Sequence, residues 1–394
     1  MRALCWDGVN SLKVEQVDEP TIVNGQDAIV KVLMSAACGS DLHLLDGYIP
    51  GMRAGDVLGH EFIAEIVEVG PDVRHRRVGE RVVVCSFIAC GRCHYCRGGE
   101  FSLCDNGNPD WGLTSALWGE SPGGCFGYSH LMGGFAGSHA EYVRVPYADQ
   151  GLFPVPDEVS TLRALFASDA APTGWMGADL AGVGPGDVVA VWGAGAVGQM
   201  AARASLLLGA EQVVVVDTIA ERLAQVRDHV GAETLDPSAV NVQDALRELT
   251  GGRGPDVCIE AVGMEAGGTG SAAQRALAAY DWAKQQLRLQ TGRPTAVREA
   301  ITACRKGGSV FVLGVFGGIV DKFPLGALMN KGLTLRAAQQ HGHRYIPMLL
   351  DRMAAGELTT EHLATHRMPL EQGAHGYDLF KHKREGCVRP VFEL

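Results

Sequence analysis

Residues 188–202 read VVAVWGAGAVGQMAA, and three glycines in this stretch, Gly193, Gly195 and Gly198, decide the fold. A valine-rich apolar run ends at Gly193 and an alanine-rich helical run starts after Gly195. In a strand-to-helix turn of the form G-x-G-x-x-G, the first glycine permits the tight bend and the second lets a pyrophosphate reach the backbone. The third lets the helix pack closely on the strand. Free N–H groups and the positive end of the helix dipole then hold the anion, which puts Ala196 and Val197 in the cofactor-binding set as well. A glycine turn with no ligand is the competing reading of the motif by itself. Asp217 weighs against it, nineteen residues past Gly198 at the end of EQVVVVD. A carboxylate there accepts both ribose hydroxyls of NAD, whereas the 2′-phosphate of NADP would meet like charge, so NAD is the expected cofactor. Thr218 and Arg222 lie near enough to complicate that choice, or else belong to a solvated helix start.

Outward from this motif, residues 171–338 alternate apolar strands with amphipathic helices: DVVAVWG, EQVVVVD, PDVCIEAVG, SVFVLGV and GLTLRAA are the strand segments. That rhythm predicts a doubly wound parallel sheet covered on both faces. Val262, Leu313 and Val315, in two of the later strand segments, are counted with the cofactor site. A helical insertion interrupts the rhythm at about 270–294. Residues 1–170 have a different texture. AIVKVLMSAA, FIAEIVEVG, RVVVCSF and AEYVRVP predict short strands of a mostly antiparallel domain. Residues 105–140, glycine-rich and aperiodic, read as a long surface excursion that is functional or partly mobile. The mixed short elements of 339–394 are expected to complete the first domain.

Composition narrows the partners. The 394 residues are 46% hydrophobic and 20% charged, enough to bury a large core over two or three domains. A net charge of −11 disfavours nucleic acid and anionic membranes and leaves a small molecule as the expected partner. The start MRALCWDGVNSLKVEQVDEP lacks the apolar run of a secretory signal, and a cytoplasmic protein is expected.

Eleven cysteines without an export signal make a poor disulfide framework. Four of them, Cys90, Cys93, Cys96 and Cys104, crowd into ACGRCHYCRGGEFSLC. Four thiolates at such spacing fit a closed, structural zinc tetrahedron. A thioredoxin-like pair needs only two cysteines on a helix after a strand, and iron–sulfur clusters use other spacings. A closed site leaves no position for substrate, so chemistry needs a second site. SAACGSDLHLLDG supplies Cys38, Ser40, Asp41 and His43, and VLGHEFIAEI supplies His60 and Glu61. Each alone is more often structural than catalytic; their combination points to a zinc with about three protein ligands and one open position.

Through CGSDLH, GHE, the four-cysteine loop, HAEYVRVPYAD, SDAAPTGW and GAGAVG, the chain resembles the zinc-containing medium-chain alcohol dehydrogenases over nearly its whole length. It resembles more closely the branch of glutathione-independent formaldehyde dehydrogenase and formaldehyde dismutase. The resemblance implies a Rossmann domain between two chain segments that form a GroES-like, mostly β catalytic domain, and a homo-oligomer, dimer or tetramer. It implies two zinc ions per chain, with Cys38, His60 and Asp169 as ligands of the catalytic one. Aspartate in FASDAAPTG stands where many relatives carry cysteine; the charge is kept and the donor becomes harder. Glu61 resembles an occasional alternative ligand, or a carboxylate behind the ligands, and Asp41 the group that orients His60.

The implied activity is hydride transfer between an alcohol or hydrated aldehyde and NAD, with Ser40 accepting the substrate proton and His43 passing it on. A dehydrogenase for larger or polyol-like alcohols is the alternative enzyme, and a non-catalytic zinc- and nucleotide-binding sensor or structural protein the alternative of another class. Gly39 replaces a basic residue found near the pyrophosphate in relatives, and Arg389 is a candidate substitute. The insertion is expected to cover part of the cofactor and slow NAD release, or to be an oligomer contact or surface helix. Phe87, Trp111, Trp118 and Phe126 lie in segments that line a substrate pocket or belong to the core.

Overall fold

The computed structural model describes residues 1–268 and 272–394. The chain divides into two compact units, Met1–Pro172 with Gln340–Leu394, and Thr173–Gln339.

In the second unit, strand Val188–Trp192 lies near the centre of a six-stranded sheet. The order is Glu233–Leu235, Gln212–Val216, Val188–Trp192, Val257–Glu260, Ser309–Val312, Thr334–Ala337, and every pairing is parallel. Chain order reverses on either side of Val188–Trp192, the topological switch point at which doubly wound sheets bind nucleotides. The valine runs fit because both faces are covered: Val213, Val214, Val215 and Val216 are all buried. Helix Ala196–Leu207 starts directly after Gly195, and its small residues Ala201, Ala202 and Ala204 bring it close to the sheet. A side chain at Gly198 would put its Cβ 1.8 Å from the Gly193 carbonyl, so the third glycine of the motif is sterically required.

The insertion forms helix Ala272–Gln286; residues 270 and 271 of that segment lie outside the described ones. Its Asp281 is wholly buried against Arg298 of helix Thr295–Ala303. Trp282, Leu287 and Leu289 face outward.

The first unit is built on a seven-stranded, mainly antiparallel sheet. Strand Ala28–Ala36 pairs with Glu61–Val69 along its length, with Tyr142–Val145 at its beginning and with Pro390–Glu393 at its end. The last pairing, Val391 opposite Ala36, ties the chain terminus to the strand that leads into Cys38. Val30, Val32, Phe62, Ala64, Val82, Val84 and Phe126 form the core on one face of this sheet. This is the GroES-like architecture, and the parallel unit is the Rossmann one.

One expectation needs correction. Residues 105–140 are not a surface excursion throughout, for Cys125, Phe126, Leu131, Met132, Ser138, His139 and Ala140 are buried. Aperiodic glycines here serve close packing: a Cβ on Gly127 would stand 2.3 Å from the Gly59 carbonyl, and one on Gly137 would stand 2.2 Å from that of Leu58. The segment therefore lies directly against the backbone that precedes His60. Helix Trp111–Trp118 within it buries Thr114 and exposes Trp111, Leu117 and Trp118. No helix among the described residues is long and apolar enough to cross a membrane.

Candidate active site

Three chain turns deliver the donors of the open site. Cys38 ends the segment after strand Ala28–Ala36 and caps helix Gly39–Leu45, where its N–H is bound by the Asp41 carboxylate at 2.8 Å. His60 immediately precedes strand Glu61–Val69, and Asp169 immediately precedes helix Ala170–Ala181. The Cys38 Sγ lies 3.4 Å from Asp169 Oδ2, and the His60 Nε2 lies 3.8 Å from the same oxygen. Ligand atoms of all three fall within 4.8 Å of one another, and all three residues are buried. A thiolate and a carboxylate carry the charge that a divalent cation balances, and the S, N and O donors suit zinc with a position left open. The donor set therefore fits the metal that the sequence implies.

A chain of polar contacts stands behind His60. Asp41 Oδ1 approaches His60 Nδ1 at 3.2 Å, which turns Nε2 toward Asp169. The Tyr377 hydroxyl donates to Asp41 Oδ2 at 2.9 Å, and His139 Nε2 meets that hydroxyl at 2.9 Å. Ser35 closes the chain at 2.8 Å from His139 Nδ1. Burial opposes charge on Asp41, yet His60 beside it holds the carboxyl below the ordinary range. Ser40 Oγ lies 3.4 Å from His60 Nε2, and His43 is buried on the next turn of the same helix.

Glu61 is not one of the converging donors. Its Oε1 accepts the Ala170 N–H at 3.0 Å and its Oε2 faces Arg389 at 3.5 Å. Arg389, considered above for the pyrophosphate, is instead buried with its guanidinium 3.6 Å from Cys38 Sγ. The reason is local: strand Pro390–Glu393 pairs beside Ala36, which sets the preceding residue beside Cys38. Among the aromatic candidates, Phe126 belongs to the core and meets Phe62 edge-on at 5.7 Å, Phe87 packs with Cys125 and Met132, and Trp111 and Trp118 are exposed. Tyr128, Tyr377, His139 and Gln340 were not anticipated. Tyr128 meets the His60 ring edge-on at 6.1 Å.

The four-cysteine loop is compact. Cys90, Cys93, Cys96 and Cys104 bring their sulfurs within 4.8 Å of one another, and all eleven cysteines of the chain are free thiols. Cys104 Sγ accepts the Cys90 N–H at 3.2 Å and Cys90 Sγ accepts the Asn106 side-chain amide at 3.3 Å. Hydrogen bonding from the Cys96 thiol, with the Cys90 N–H, pulls Cys104 below an ordinary thiol.

At the nucleotide motif, Asp217 fixes the turn as well as marking it: Oδ2 accepts the Ala194 N–H at 2.7 Å and Oδ1 the Ile219 N–H at 2.9 Å. A Cβ on Gly195 would meet nothing nearer than Arg222 Nη1 at 4.0 Å, so the approach to this backbone is open and basic. Thr218 follows Asp217 in the same turn. Val262 and Leu313 follow the ends of adjacent strands Val257–Glu260 and Ser309–Val312; buried Glu260 accepts the Val262 N–H at 2.8 Å. Val315 backs onto Gly263, whose Cβ would meet its nitrogen at 2.8 Å.

Comparison with known proteins identifies the family. Residues 24–157 match the alcohol dehydrogenase GroES-like domain family and residues 196–279 the zinc-binding dehydrogenase family. An uncharacterised zinc-type alcohol dehydrogenase-like protein of Bacillus subtilis is 35% identical over 100% of both chains. Glutathione-independent formaldehyde dehydrogenase of the same organism is 36% identical over 68% of each chain. Alcohol dehydrogenase TADH from Thermus sp. ATN1 superposes with a TM-score of 0.83 at 33% identity, covering 100% of both chains. With its GroES-like and Rossmann units and its two donor clusters, the chain belongs to the zinc-type alcohol dehydrogenase family of oxidoreductases.

Proposed function

We propose that this protein is a zinc- and NAD-dependent oxidoreductase that moves hydride between a small alcohol or hydrated aldehyde and NAD. The observation that carries the proposal is the convergence of Cys38, His60 and Asp169 on one buried point with a hydroxyl, Ser40, beside it. Zinc, when bound, supplies Lewis acidity toward the substrate oxygen, and NAD the hydride acceptor.

The chain's own residues then have separable tasks. Cys38, His60 and Asp169 hold the metal, and Asp41 keeps the His60 ring in the orientation that frees Nε2. Ser40 accepts the substrate proton, and His43 carries it onward. Gly193, Gly195 and Gly198, with the N–H groups of Ala196 and Val197, hold the pyrophosphate, and Asp217 takes the ribose hydroxyls. Cys90, Cys93, Cys96 and Cys104 hold a second, structural zinc.

Formaldehyde is our first candidate substrate. A hydrated aldehyde is a geminal diol, so the same site can treat it as an alcohol, and the formaldehyde dehydrogenase relative supports this assignment. The proposal includes a cytoplasmic homo-oligomer. Product analysis over a panel of alcohols and aldehydes, with and without added NAD, tests it. Acid matched by free NADH identifies a dehydrogenase, and equal acid and alcohol without added cofactor identifies a dismutase. No turnover across the panel with both NAD and two zinc ions per chain present would overturn the enzyme reading.

A further inference from the structure

Asp169 differs from a cysteine ligand in having two donor atoms, and the structure separates them. Oδ2 faces Cys38 Sγ and His60 Nε2, while Oδ1 accepts from Gln340 Nε2 at 2.5 Å. The same Nε2 lies 3.2 Å from the Ser168 carbonyl and 2.9 Å from Ser86 Oγ. A carboxylate and a carbonyl only accept, so the side of the amide that meets them must be its NH2. Gln340 is 2% exposed, and its Oε1 has no hydrogen-bond partner among the described residues. A buried amide oxygen in that state is unfavourable. The orientation is therefore held by what the NH2 does. Gly342 makes room for it, since a Cβ there would stand 2.5 Å from Oε1.

We infer that Gln340 is a positioning residue for the catalytic zinc: by occupying Oδ1 it makes Asp169 a one-oxygen ligand. The inference rests on the reading that Cys38, His60 and Asp169 hold zinc. An untethered carboxylate can turn both oxygens to a metal and fill the coordination position that substrate needs. A thiolate has one donor atom and needs no tether. The glutamine is therefore the partner that lets a two-oxygen aspartate serve where a single donor atom is needed.

The test measures zinc retained against a chelator, together with the visible spectrum of the cobalt(II)-substituted protein, in Gln340→Leu and Gln340→Met, each with Asp169 and with Asp169→Cys. With Asp169 in place, either substitution should release one of the two zinc ions about 10–100-fold more readily. The cobalt bands should weaken as coordination rises above four. With Asp169→Cys in place, the same substitutions should change neither reading. Retention of the four-cysteine zinc reports that each variant has folded. Equal penalties in both backgrounds would reduce Gln340 to a packing residue and overturn the inference, as would wild-type retention in the Asp169 background. A wild-type protein with one zinc, or Asp169→Ala with two, would instead overturn the ligand reading beneath it.

Discussion

The two thiolate-bearing clusters are built by opposite strategies. Cys90, Cys93, Cys96 and Cys104 come from one loop, whereas Cys38 and Asp169 stand 131 residues apart in sequence and meet only because a sheet has formed. In the loop, the proposed structural zinc would be a means of folding, because one ion would gather four donors from a single short segment. At the assembled site the scaffold comes first: strand ends fix Cys38 and His60, and Asp41, Tyr377 and Gln340 orient the donors. The difference predicts that damage to one cluster registers in stability and damage to the other in turnover.

Cys38→Ser is the sharpest way to break that division. Partners behind a metal ligand are worth about 10–100-fold, so loss of the ligand itself should lower kcat/KM by more than about 100-fold. Metal analysis should fall from two zinc ions to one, with the denaturant midpoint little changed. A fully active Cys38→Ser protein would end the assignment. Cys93→Ser is the converse. Loss of a structural metal belongs among the few changes that cost more than about 4 kcal/mol, read in a urea titration, while turnover per folded molecule persists. If instead Cys93→Ser abolished turnover at unchanged stability, the two clusters would have to exchange roles.

The same contrast explains what was legible in the sequence. Spacing within one loop identifies four cysteines directly, and the glycine turn identifies the nucleotide unit, because both signals are local. Cys38 and His60 stood among several candidate donors in their own segments, whereas Asp169, and the choice of these three as the ligand set, became readable only through resemblance. Gln340 had no signal: its partner Asp169 is 171 residues away, and QQHGH has no periodicity that marks a site. Arg389 was misplaced because the pairing of Val391 with Ala36, which puts it beside Cys38, is not written in either segment. Strand Glu233–Leu235 was missed because it is three residues long, at the sheet edge and not apolar. Residues 105–140 were misjudged because glycine that permits close backbone contact looks, in sequence, like glycine in a mobile loop.

A smaller effect separates the regions by pH. The His343 ring stacks on Phe101 of the four-cysteine loop at 4.8 Å between centroids and places Nδ1 3.3 Å from Cys85 Sγ. Its Nε2 has no partner among the described residues. Burial, with His341 nearby, pushes this imidazole down to about 3. The unfolded chain, with an ordinary value of about 6.5, therefore takes up the proton first as pH falls. The stabilising contribution of the neutral ring is complete above about pH 6.5 and is lost progressively toward pH 3. One proton corresponds to a slope of about 1.4 kcal/mol per pH unit, approached below about pH 5.5. His343→Phe keeps a ring against Phe101 and removes the titration, so its stability should fall less steeply than wild type by about that amount between pH 5.5 and 4.5. Protonation of other groups is common to both proteins and cancels in the difference. Identical slopes would mean that the imidazole reaches water when charged, and that the packing between His343 and Phe101 opens without unfolding the loop.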